Sequence, residues 1–238
     1  KDYYASYKVL IFYNDVAHNH SPVDYREAGL ENNAALILGL SRTSRPPDVD
    51  VMEGGRPLAE RYVCIATQAT SQNKYWNNPF GWLETIRFLK KHGYRVICID
   101  RSRVNGVGTI WNNIPYGAED FTGALPLAER ARWLRHAEFF IGLSSGLSWL
   151  AWAVGTPIVL ISGFTRPDNE FETPYRVINW NACNGCSNDI RCQLDPADYL
   201  WCPRQSGTDK QFECTRLISS QQVIDTIRKI PDFEGVSE

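Results

Sequence analysis

Short apolar runs alternate with helical segments from residue 61 onward, and this alternation constrains the fold more than any other feature of the chain. The apolar runs are typical of buried strands and lie at residues 62–66, 94–99, 139–141 and 157–161. Helical periodicity follows at residues 80–92, 127–136, 146–154 and 219–230. Strands that alternate with helices of about ten residues form βαβ units. The sequence therefore predicts an α/β fold built on a parallel sheet.

The first 57 residues do not share this alternation. A strand-like run is predicted at residues 7–13 and a helix at residues 24–40, and residues 41–57 read as a linker or surface loop. Because Lys1 is not a natural initiator, we expect a fragment, or a mature form whose preceding half is not included. The predicted division is 1–57, the end of a preceding half with its linking helix and loop, and 58–238, the α/β domain.

Charge and hydropathy argue against two classes of partner. The net charge of −2 gives no general case for nucleic-acid binding. No apolar run reaches the length that a membrane-spanning helix needs. We therefore expect no nucleic-acid partner and no membrane span.

The cysteines are concentrated in one segment, which interrupts the strand and helix pattern at residues 180–216. Five of the seven lie between Cys183 and Cys214, and the spacing C-x2-C-x15-C-x11-C runs through Cys183, Cys186, Cys202 and Cys214. A CxxC turn brings two sulfurs within reach of one metal ion, and two later thiolates complete a tetrahedron. The spacing predicts a metal finger that holds one structural ion, since four thiolates leave no open position for water or substrate.

Two other interpretations of these cysteines remain open. In a secreted protein they would form disulfides, with Cys192 as a further candidate partner. A redox role for the CxxC pair is the third possibility, although such pairs usually open a helix after a strand and this pair lies in a polar loop. Cys64 and Cys98 lie inside apolar runs and are predicted to be buried strand thiols.

Ligands of open parallel sheets bind at the carboxyl ends of the strands, so the loops there carry the candidate site. Residues 67–76 follow the first strand of the domain and offer hydroxyls, amides and the ammonium of Lys74, which suit a diphosphate. Thr67 opens this loop, and Trp76 at its end could line a sugar or base pocket. The alternatives are a solvated polar loop and, for Trp76, core packing.

A second candidate segment joins a strand to a helix at residues 142–147. Its backbone N–H groups would point at an anion, with the helix dipole adding to the attraction, and the residues concerned are Ser144, Ser145, Gly146 and Leu147. The alternative is a tight turn capped by Ser145. The pattern G-x-S-x-G also occurs here, but no histidine follows it, so a hydrolase triad is not expected.

The third candidate is Asp100, which ends the second strand of the domain and could accept hydrogen bonds from ribose or sugar hydroxyls. A loop aspartate or a cap is the alternative. Glu170 and Arg176 lie beyond the last predicted strand, where they could close the pocket or form a structural ion pair.

Taken together, these segments resemble the C-terminal, donor-binding half of heptosyltransferases with the GT-B glycosyltransferase fold. The resemblance rests on the lysine loop that ends in Lys74, Tyr75 and Trp76, and on residues 142–157, a glycine-flanked turn followed by a helix and a Gly-x-Pro strand. Ser144 stands where the lipopolysaccharide enzymes usually have Asp, and Trp149 where they have His.

In these departures and in its cysteines, the chain is similar to the bacterial autotransporter heptosyltransferase branch of the family. Shared features are the turn Gly-Leu-Ser-Ser-Gly-Leu-Ser-Trp, the pair Gly163-Phe164, the run from Glu170 to Arg176, and a cysteine finger that ends in Phe-Glu-Cys-Thr. The similarity covers most of the chain.

The resemblance implies transfer of heptose from ADP-heptose to serine hydroxyls of an autotransporter adhesin in the bacterial cytoplasm. It further implies a Rossmann-like nucleotide-sugar domain at 58–238, an iron ion in the finger, and a large homo-oligomer. Zinc is the alternative metal, because four thiolates suit both. Lys74 would hold donor phosphate, Ser144 to Leu147 would contact diphosphate and heptose, and Thr67 and Asp100 would be further donor contacts.

The resemblance names no catalytic residue in this chain. In GT-B enzymes the acceptor half usually supplies the base, and residues 1–57 would be only the end of that half. The alternatives are a nucleotide-sugar-binding module without turnover, a lipopolysaccharide core heptosyltransferase, and an interaction module that docks a partner through the finger.

Overall fold

The computed structural model describes residues 24–41, 45–49, 51 and 53–233. The predicted strand at residues 7–13 lies outside this part of the chain. Within it, none of the helices combines the length and the apolar character that a membrane crossing requires.

A six-stranded parallel sheet forms the centre of the fold. Its strands are β1 (Tyr62–Ile65), β2 (Arg95–Cys98), β5 (Glu119–Asp120), β6 (Phe140–Leu143), β7 (Ile158–Ile161) and β8 (Arg176–Val177). They are arranged in the order β5-β2-β1-β6-β7-β8, and every neighbouring pair is parallel. The predicted α/β fold with a parallel sheet is therefore confirmed.

Seven α-helices accompany the sheet among the described residues: α1 (Tyr25–Ala28), α2 (Leu30–Leu38), α3 (Gly81–Lys91), α4 (Leu127–His136), α5 (Gly146–Ala153), α6 (Glu213–Arg216) and α7 (Ser220–Ile227). Helix α7 begins with a capping box, in which Ser219 accepts from the Gln222 N–H and the Gln222 side chain accepts from the Ser219 N–H. An antiparallel hairpin, β3 (Val104–Val107) and β4 (Ile110–Asn113), lies apart from the main sheet.

The single helix predicted at residues 24–40 is wrong, because the segment forms two helices. Gly29 separates them with φ 74°, a left-handed value at which a helix cannot continue. Helix α1 packs on the finger: Arg26 donates to the Ile190 carbonyl at 2.8 Å, and the Asn188 amide donates to the Arg26 carbonyl at 3.0 Å. Whether residue 57 is a domain boundary stays a prediction.

Each face of the sheet carries its own helical layer. Alternate residues of β1 point to opposite faces, so Val63 packs with α3 and α7, while Tyr62 packs with α4 and α5. The strand thiols Cys64 and Cys98 are fully buried as predicted, and burial raises the pKa of both. The sheet is therefore the middle of three layers, and its strand ends are the open surface for a ligand.

Trp76 belongs to this core and not to a ligand pocket, which corrects the expectation that it contacts a donor. Only 4% of its surface is exposed, and its indole N–H donates to the Ile218 carbonyl at 2.9 Å. Its ring packs edge-on against Trp82, with 5.2 Å between centroids. The core-packing alternative is therefore the one that the structure supports.

The close contact between Trp76 and α3 gives a testable prediction. A Cβ at Gly81 would lie 2.4 Å from the Trp76 ring. Because the ring is fixed by its hydrogen bond, Gly81→Ala is expected to lower the free energy of unfolding by about 1–3 kcal/mol through overpacking. Urea denaturation measures the change. Gly55→Ala is the control, since open space surrounds that position; equal stability of the two variants would contradict the packing argument.

Candidate ligand-binding site

Two cavities open at the carboxyl ends of the strands, where the sequence placed the candidate site. One has a volume of about 1090 Å³ and the other of about 460 Å³. Six residues line both of them: Thr70, Lys74, Ser144, Ser145, Gly146 and Trp149. The predicted lysine loop and the predicted turn therefore meet, and together they form the wall between the two cavities.

Lys74 is the cation at this wall. It ends the short 3-10 turn Gln72–Lys74 after β1, and its ammonium lies 5.3 Å from the centre of the Phe164 ring. Burial lowers the pKa of Lys74, and the nearby Glu170 carboxylate acts in the opposite direction. A half-buried ammonium of this kind interacts more strongly with an anion than a fully solvated one does.

The turn from β6 to α5 supplies hydrogen-bond donors opposite Lys74. The first N–H groups of a helix have no carbonyl partner within it, so those at the start of α5 can bind an anion. The predicted cap by Ser145 does not form, and its buried hydroxyl is left without a hydrogen-bond partner among the described residues. Leu147 follows in the first turn of α5 and lines the larger cavity.

A buried ion pair fixes the turn between β6 and α5. Arg176 on β8 donates to the Glu170 carboxylate at 2.7 Å, and the two side chains are 10% and 2% exposed. The other oxygen of Glu170 accepts hydrogen bonds from Ser144 and from Thr165. Of the two roles considered for Glu170 and Arg176, the structure therefore supports the ion pair, and the pair fixes the position of Ser144.

Asp100 and Thr67 bind each other. The Asp100 carboxylate accepts from the Thr67 N–H at 2.8 Å and from the Thr67 hydroxyl at 2.9 Å, and it also accepts from the Gln68 N–H and the Cys98 thiol. Burial raises the pKa of Asp100, whereas the hydrogen bonds from Thr67 lower it. Asp100 lines the larger cavity, but its carboxylate ties the ends of β1 and β2 together, and Thr67 lines neither cavity.

Arg130 is a residue of the site region that the sequence did not single out. It is only 4% exposed, and its guanidinium donates to four backbone carbonyls, those of Ile99, Asp100, Gly123 and Leu125. These contacts fix the loop that forms one side of the larger cavity. The sequence did offer a signal for this role. Arg130 lies four residues before Leu134 and so on the same, buried face of the helix, where a charged residue needs partners.

The rest of the larger cavity is mainly apolar. Its apolar lining includes Val107 from the hairpin, Leu125, Leu127, Leu147, Leu150 and Ala153, and the polar side chains of Gln68, Arg101, Ser102 and Asn105 line it as well. An apolar cavity that begins beside an ammonium and a helix N-terminus suits a ligand with an aromatic base at one end and a phosphate group at the other.

The predicted metal ligands lie near one another. Burial raises the pKa of the Cys214 thiol to about 12, and the neighbouring Cys183, Cys186 and Cys202 add to that effect. Burial likewise raises the pKa of Cys183 to about 12 and that of Cys186 to about 11, with Cys192 among the neighbours of Cys186. The four thiols suit a soft metal ion in composition, and such an ion would be needed to hold them as thiolates near neutral pH.

The thiols do not form a finished metal site. All seven cysteines are free thiols. Across residues 24–41, 45–49 and 53–233, no group of three or more His, Cys, Asp or Glu side chains is arranged to hold a metal ion. The ligand set Cys183, Cys186, Cys202 and Cys214 therefore stays a prediction.

Hydrogen bonds join the finger to the loops of the site. The Gln72 N–H donates to the Tyr199 carbonyl at 2.9 Å, and the Asn73 amide donates to the Trp201 carbonyl at 2.9 Å. On its other side, the Gly185 N–H donates to the Gly163 carbonyl at 2.8 Å. A Cβ at Gly163 would lie 2.8 Å from the Cys214 carbonyl oxygen, so only glycine allows this approach.

Comparison with known proteins gives a consistent result. The model of glycosyltransferase family 9 (heptosyltransferase) matches residues 14–195. The autotransporter heptosyltransferase Aah of Escherichia coli is 55% identical over 230 residues, which are 97% of this chain and 58% of Aah. The inactive autotransporter heptosyltransferase BimC of Burkholderia thailandensis is 47% identical, over 96% of this chain and 54% of BimC. The chain thus spans little more than half the length of these curated relatives.

A solved structure matches the fold closely. The crystal structure of the dodecameric iron-containing heptosyltransferase TibC of enterotoxigenic E. coli, in complex with ADP-D-beta-D-heptose, superposes with a TM-score of 0.91 and 55% sequence identity. The match covers 95% of this chain and 59% of the TibC chain.

Proposed function

Because the chain belongs to glycosyltransferase family 9, the heptosyltransferases, we propose that it is the donor-binding portion of an enzyme that transfers heptose from ADP-heptose to serine hydroxyls of an autotransporter protein. The observation that carries this proposal is the meeting of Lys74 with the first turn of α5 at the wall between two cavities. A cation opposite a helix N-terminus is a site for a diphosphate.

In this proposal the chain positions the donor and stabilises the leaving group. The bond between the anomeric carbon of heptose and the β-phosphate oxygen breaks, and ADP departs with the electron pair. Lys74 and the N–H groups of α5 bind the phosphate that gains this charge. The serine oxygen forms the new bond and gives its proton to a base, which we place outside the residues described here.

Two observations bear on the alternatives. Aah and TibC are named as heptosyltransferases, and TibC was crystallised with an ADP-heptose, which supports both the donor and the transfer. BimC is 47% identical and is named inactive, so a nucleotide-sugar-binding module without turnover remains the second candidate.

Two measurements test the proposal. Calorimetric titration of the chain with ADP-heptose is expected to show binding, and no binding at high ligand concentration would contradict the donor site. Incubation with ADP-heptose and an autotransporter fragment is expected to add heptose to serine, which mass spectrometry detects. A lipopolysaccharide core acceptor serves as the comparison: heptose transfer to it alone would favour the core enzyme, and donor binding without any transfer would favour the binding module.

We further propose that the finger holds one iron ion through Cys183, Cys186, Cys202 and Cys214. The nearness of the four thiols and the iron in TibC support this set, with zinc as the alternative. Replacing a ligand is expected to abolish metal binding, so Cys202→Ser should lose the ion that elemental analysis finds in the unmodified chain. Cys192→Ser is the matched control and should keep it; the opposite result would place Cys192 in the ligand set.

Removal of the metal is expected to unfold the finger and leave the sheet intact, because a four-thiolate ion supplies folding energy locally. Hydrogen exchange measured by mass spectrometry should show protection lost over residues 180–216 after chelation, while β1 and β6 keep theirs. A chelated sample with unchanged protection in the finger would contradict a structural role for the ion.

The assembly and the location of the enzyme complete the proposal. TibC is dodecameric, so we propose that the protein containing this chain forms a large homo-oligomer. The resemblance to the autotransporter heptosyltransferase branch is the ground for proposing that it acts in the bacterial cytoplasm. Sedimentation of the full-length protein tests the oligomer, and a monomer would contradict it.

A further inference from the structure

The ammonium of Lys74, on which the proposed diphosphate site depends, is placed by two supports. The first is the backbone of the short turn Gln72–Lys74, which sets where the side chain begins. The second is the Phe164 ring, whose centre lies 5.3 Å from the ammonium. A lysine side chain has several rotatable bonds, so fixing both of its ends reduces the conformational entropy that ligand binding would otherwise lose.

Asn73 fixes the first support. It is 4% exposed, and its amide donates to the Trp201 carbonyl of the finger at 2.9 Å. Its side-chain oxygen accepts from the hydroxyl of Ser71, the residue just before the turn, at 2.7 Å. The turn itself is three residues long and has no side-chain cap at its start, so its place depends on such contacts. Because Asn73 is the direct neighbour of Lys74, a shift of the turn moves the lysine with it.

Trp201 fixes the second support. It is 6% exposed, and its ring packs edge-on against the Phe164 ring, with 5.8 Å between centroids. Its indole N–H donates to the Gln193 carbonyl at 3.1 Å, which holds the ring within the finger. The finger also binds the backbone of Phe164, because the Ser187 N–H donates to the Phe164 carbonyl at 3.1 Å. The position of the Phe164 ring is therefore set largely by the finger.

The two supports meet at Trp201. Its carbonyl accepts from Asn73, and its ring contacts Phe164. The contacts thus form a closed path that begins at Lys74, passes through its neighbour Asn73 to Trp201 and Phe164, and returns to the ammonium. Both ends of the lysine side chain depend on the same residue of the finger.

We propose that Asn73 and Trp201 are positioning residues for donor-phosphate binding and that both act through Lys74. The inference rests on the proposed function, which it deepens. It gives the finger an indirect part in donor binding, because Trp201 lines neither cavity and precedes Cys202, one of the predicted metal ligands. A loosely held Lys74 occupies its binding position for only a fraction of the time, and the apparent affinity falls in proportion to that fraction.

Removal of the Asn73 amide tests the first support. Asn73→Ala is expected to weaken binding of both ADP and ADP-heptose roughly three- to tenfold, the effect of losing one hydrogen bond that holds the turn in place. Calorimetric titration measures both affinities. Asn78→Ala is the matched control, because the Asn78 amide also donates to distant backbone carbonyls, those of Arg216 and Ile218, but Asn78 lines neither cavity. Its ADP affinity should stay within about twofold of that of the unmodified chain.

A background without the lysine separates positioning from other roles. In Lys74→Ala, the further change Asn73→Ala should cost less than about twofold in ADP affinity, because no ammonium remains to be positioned. A general effect on folding would cost the same factor in both backgrounds, and so would a direct contact of Asn73 with the ligand from the smaller cavity, which it lines. Equal losses in the two backgrounds, or no loss in Asn73→Ala, would overturn the inference and leave the proposed function standing.

Trp201→Leu tests the second support and decides the question if Asn73→Ala fails to fold. It keeps the carbonyl that accepts from Asn73 and removes the ring from Phe164, so ADP binding should weaken roughly two- to tenfold while Lys74 is present. Urea denaturation checks that each variant is folded under the conditions of titration. An unchanged affinity, or a loss that persists in Lys74→Ala, would overturn the role of the finger. Failure of the unmodified chain to bind ADP would overturn the proposed function and this inference with it.

Discussion

Replacement of Lys74 by alanine is expected to weaken ADP-heptose binding by roughly 10- to 100-fold, because a charge-assisted contact contributes about 1.5–3 kcal/mol. Lys74 lines both cavities, so a diphosphate bound at the wall between them lies beside its ammonium. Its partly buried position above the Phe164 ring reduces the competition from water. Calorimetric titration with ADP-heptose measures the loss, and ADP should lose affinity in parallel, since the diphosphate is common to both ligands.

Two control variants distinguish the loss of the Lys74 charge from a general effect of lysine substitution. Lys74→Arg keeps a cation and should recover part of the affinity, although its planar group cannot reproduce the ammonium contact fully. Lys229→Ala removes an exposed lysine just beyond α7 and should leave the affinity unchanged. An affinity for ADP-heptose in Lys74→Ala equal to that of the Lys229 control would mean that the diphosphate binds elsewhere.

Arg176→Met is expected to give a large loss of stability, about 3–5 kcal/mol in the free energy of unfolding, because it leaves a buried carboxylate without its counter-charge. Glu170 is 2% exposed and has Arg176 as its ion-pair partner at 2.7 Å. The same carboxylate accepts from Ser144 in the turn, so the variant should also weaken ADP-heptose binding. Urea denaturation gives the stability, and calorimetry gives the affinity.

A second substitution distinguishes an orphaned charge from lost packing. The double variant Arg176→Met/Glu170→Gln removes both charges of the pair, and the glutamine oxygen can still accept from Ser144, so most of the stability should return. Arg228→Met is the surface comparison: its pair with Asp225 is about half exposed and should contribute at most about 1 kcal/mol. If the double variant were no more stable than Arg176→Met, the loss would have to come from packing.

Local sequence signals were sufficient for the buried strands and the longer helices. The runs at β1, β6 and β7 are short, apolar and β-branched or aromatic, and helix α4 begins and ends where its periodicity does. The hairpin was missed because β3 and β4 expose several of their residues and carry Asn and Gly, which gives no apolar alternation. The edge strands β5 and β8 are two residues long, and their existence depends on a neighbouring strand that no local pattern reveals.

The candidate site shows the same limit at the level of side chains. The rule that ligands bind at strand ends correctly selected the loop of Lys74 and the turn at Ser144, since both follow from the order of strands and helices. The rule does not say which way a side chain points: Trp76 points into the core, and the Thr67 hydroxyl donates to Asp100. The role of Arg130 depends on contacts with the loop at residues 123–125 and with the end of β2, and sequence spacing does not contain these.

The hydrogen bonds between the finger and the strand-end loops determine which parts of the chain must be moved together when the finger is transplanted into another protein. Tyr199 and Trp201 are held by Gln72 and Asn73, and Cys214 packs against the bare backbone of Gly163. A finger grafted alone onto a protein with another residue at position 73 would lose the amide that donates to Trp201, and any residue other than glycine at position 163 would place a side chain against Cys214. Transplantation therefore requires three separate stretches of chain, so the finger and the loops beneath it form a single heritable unit.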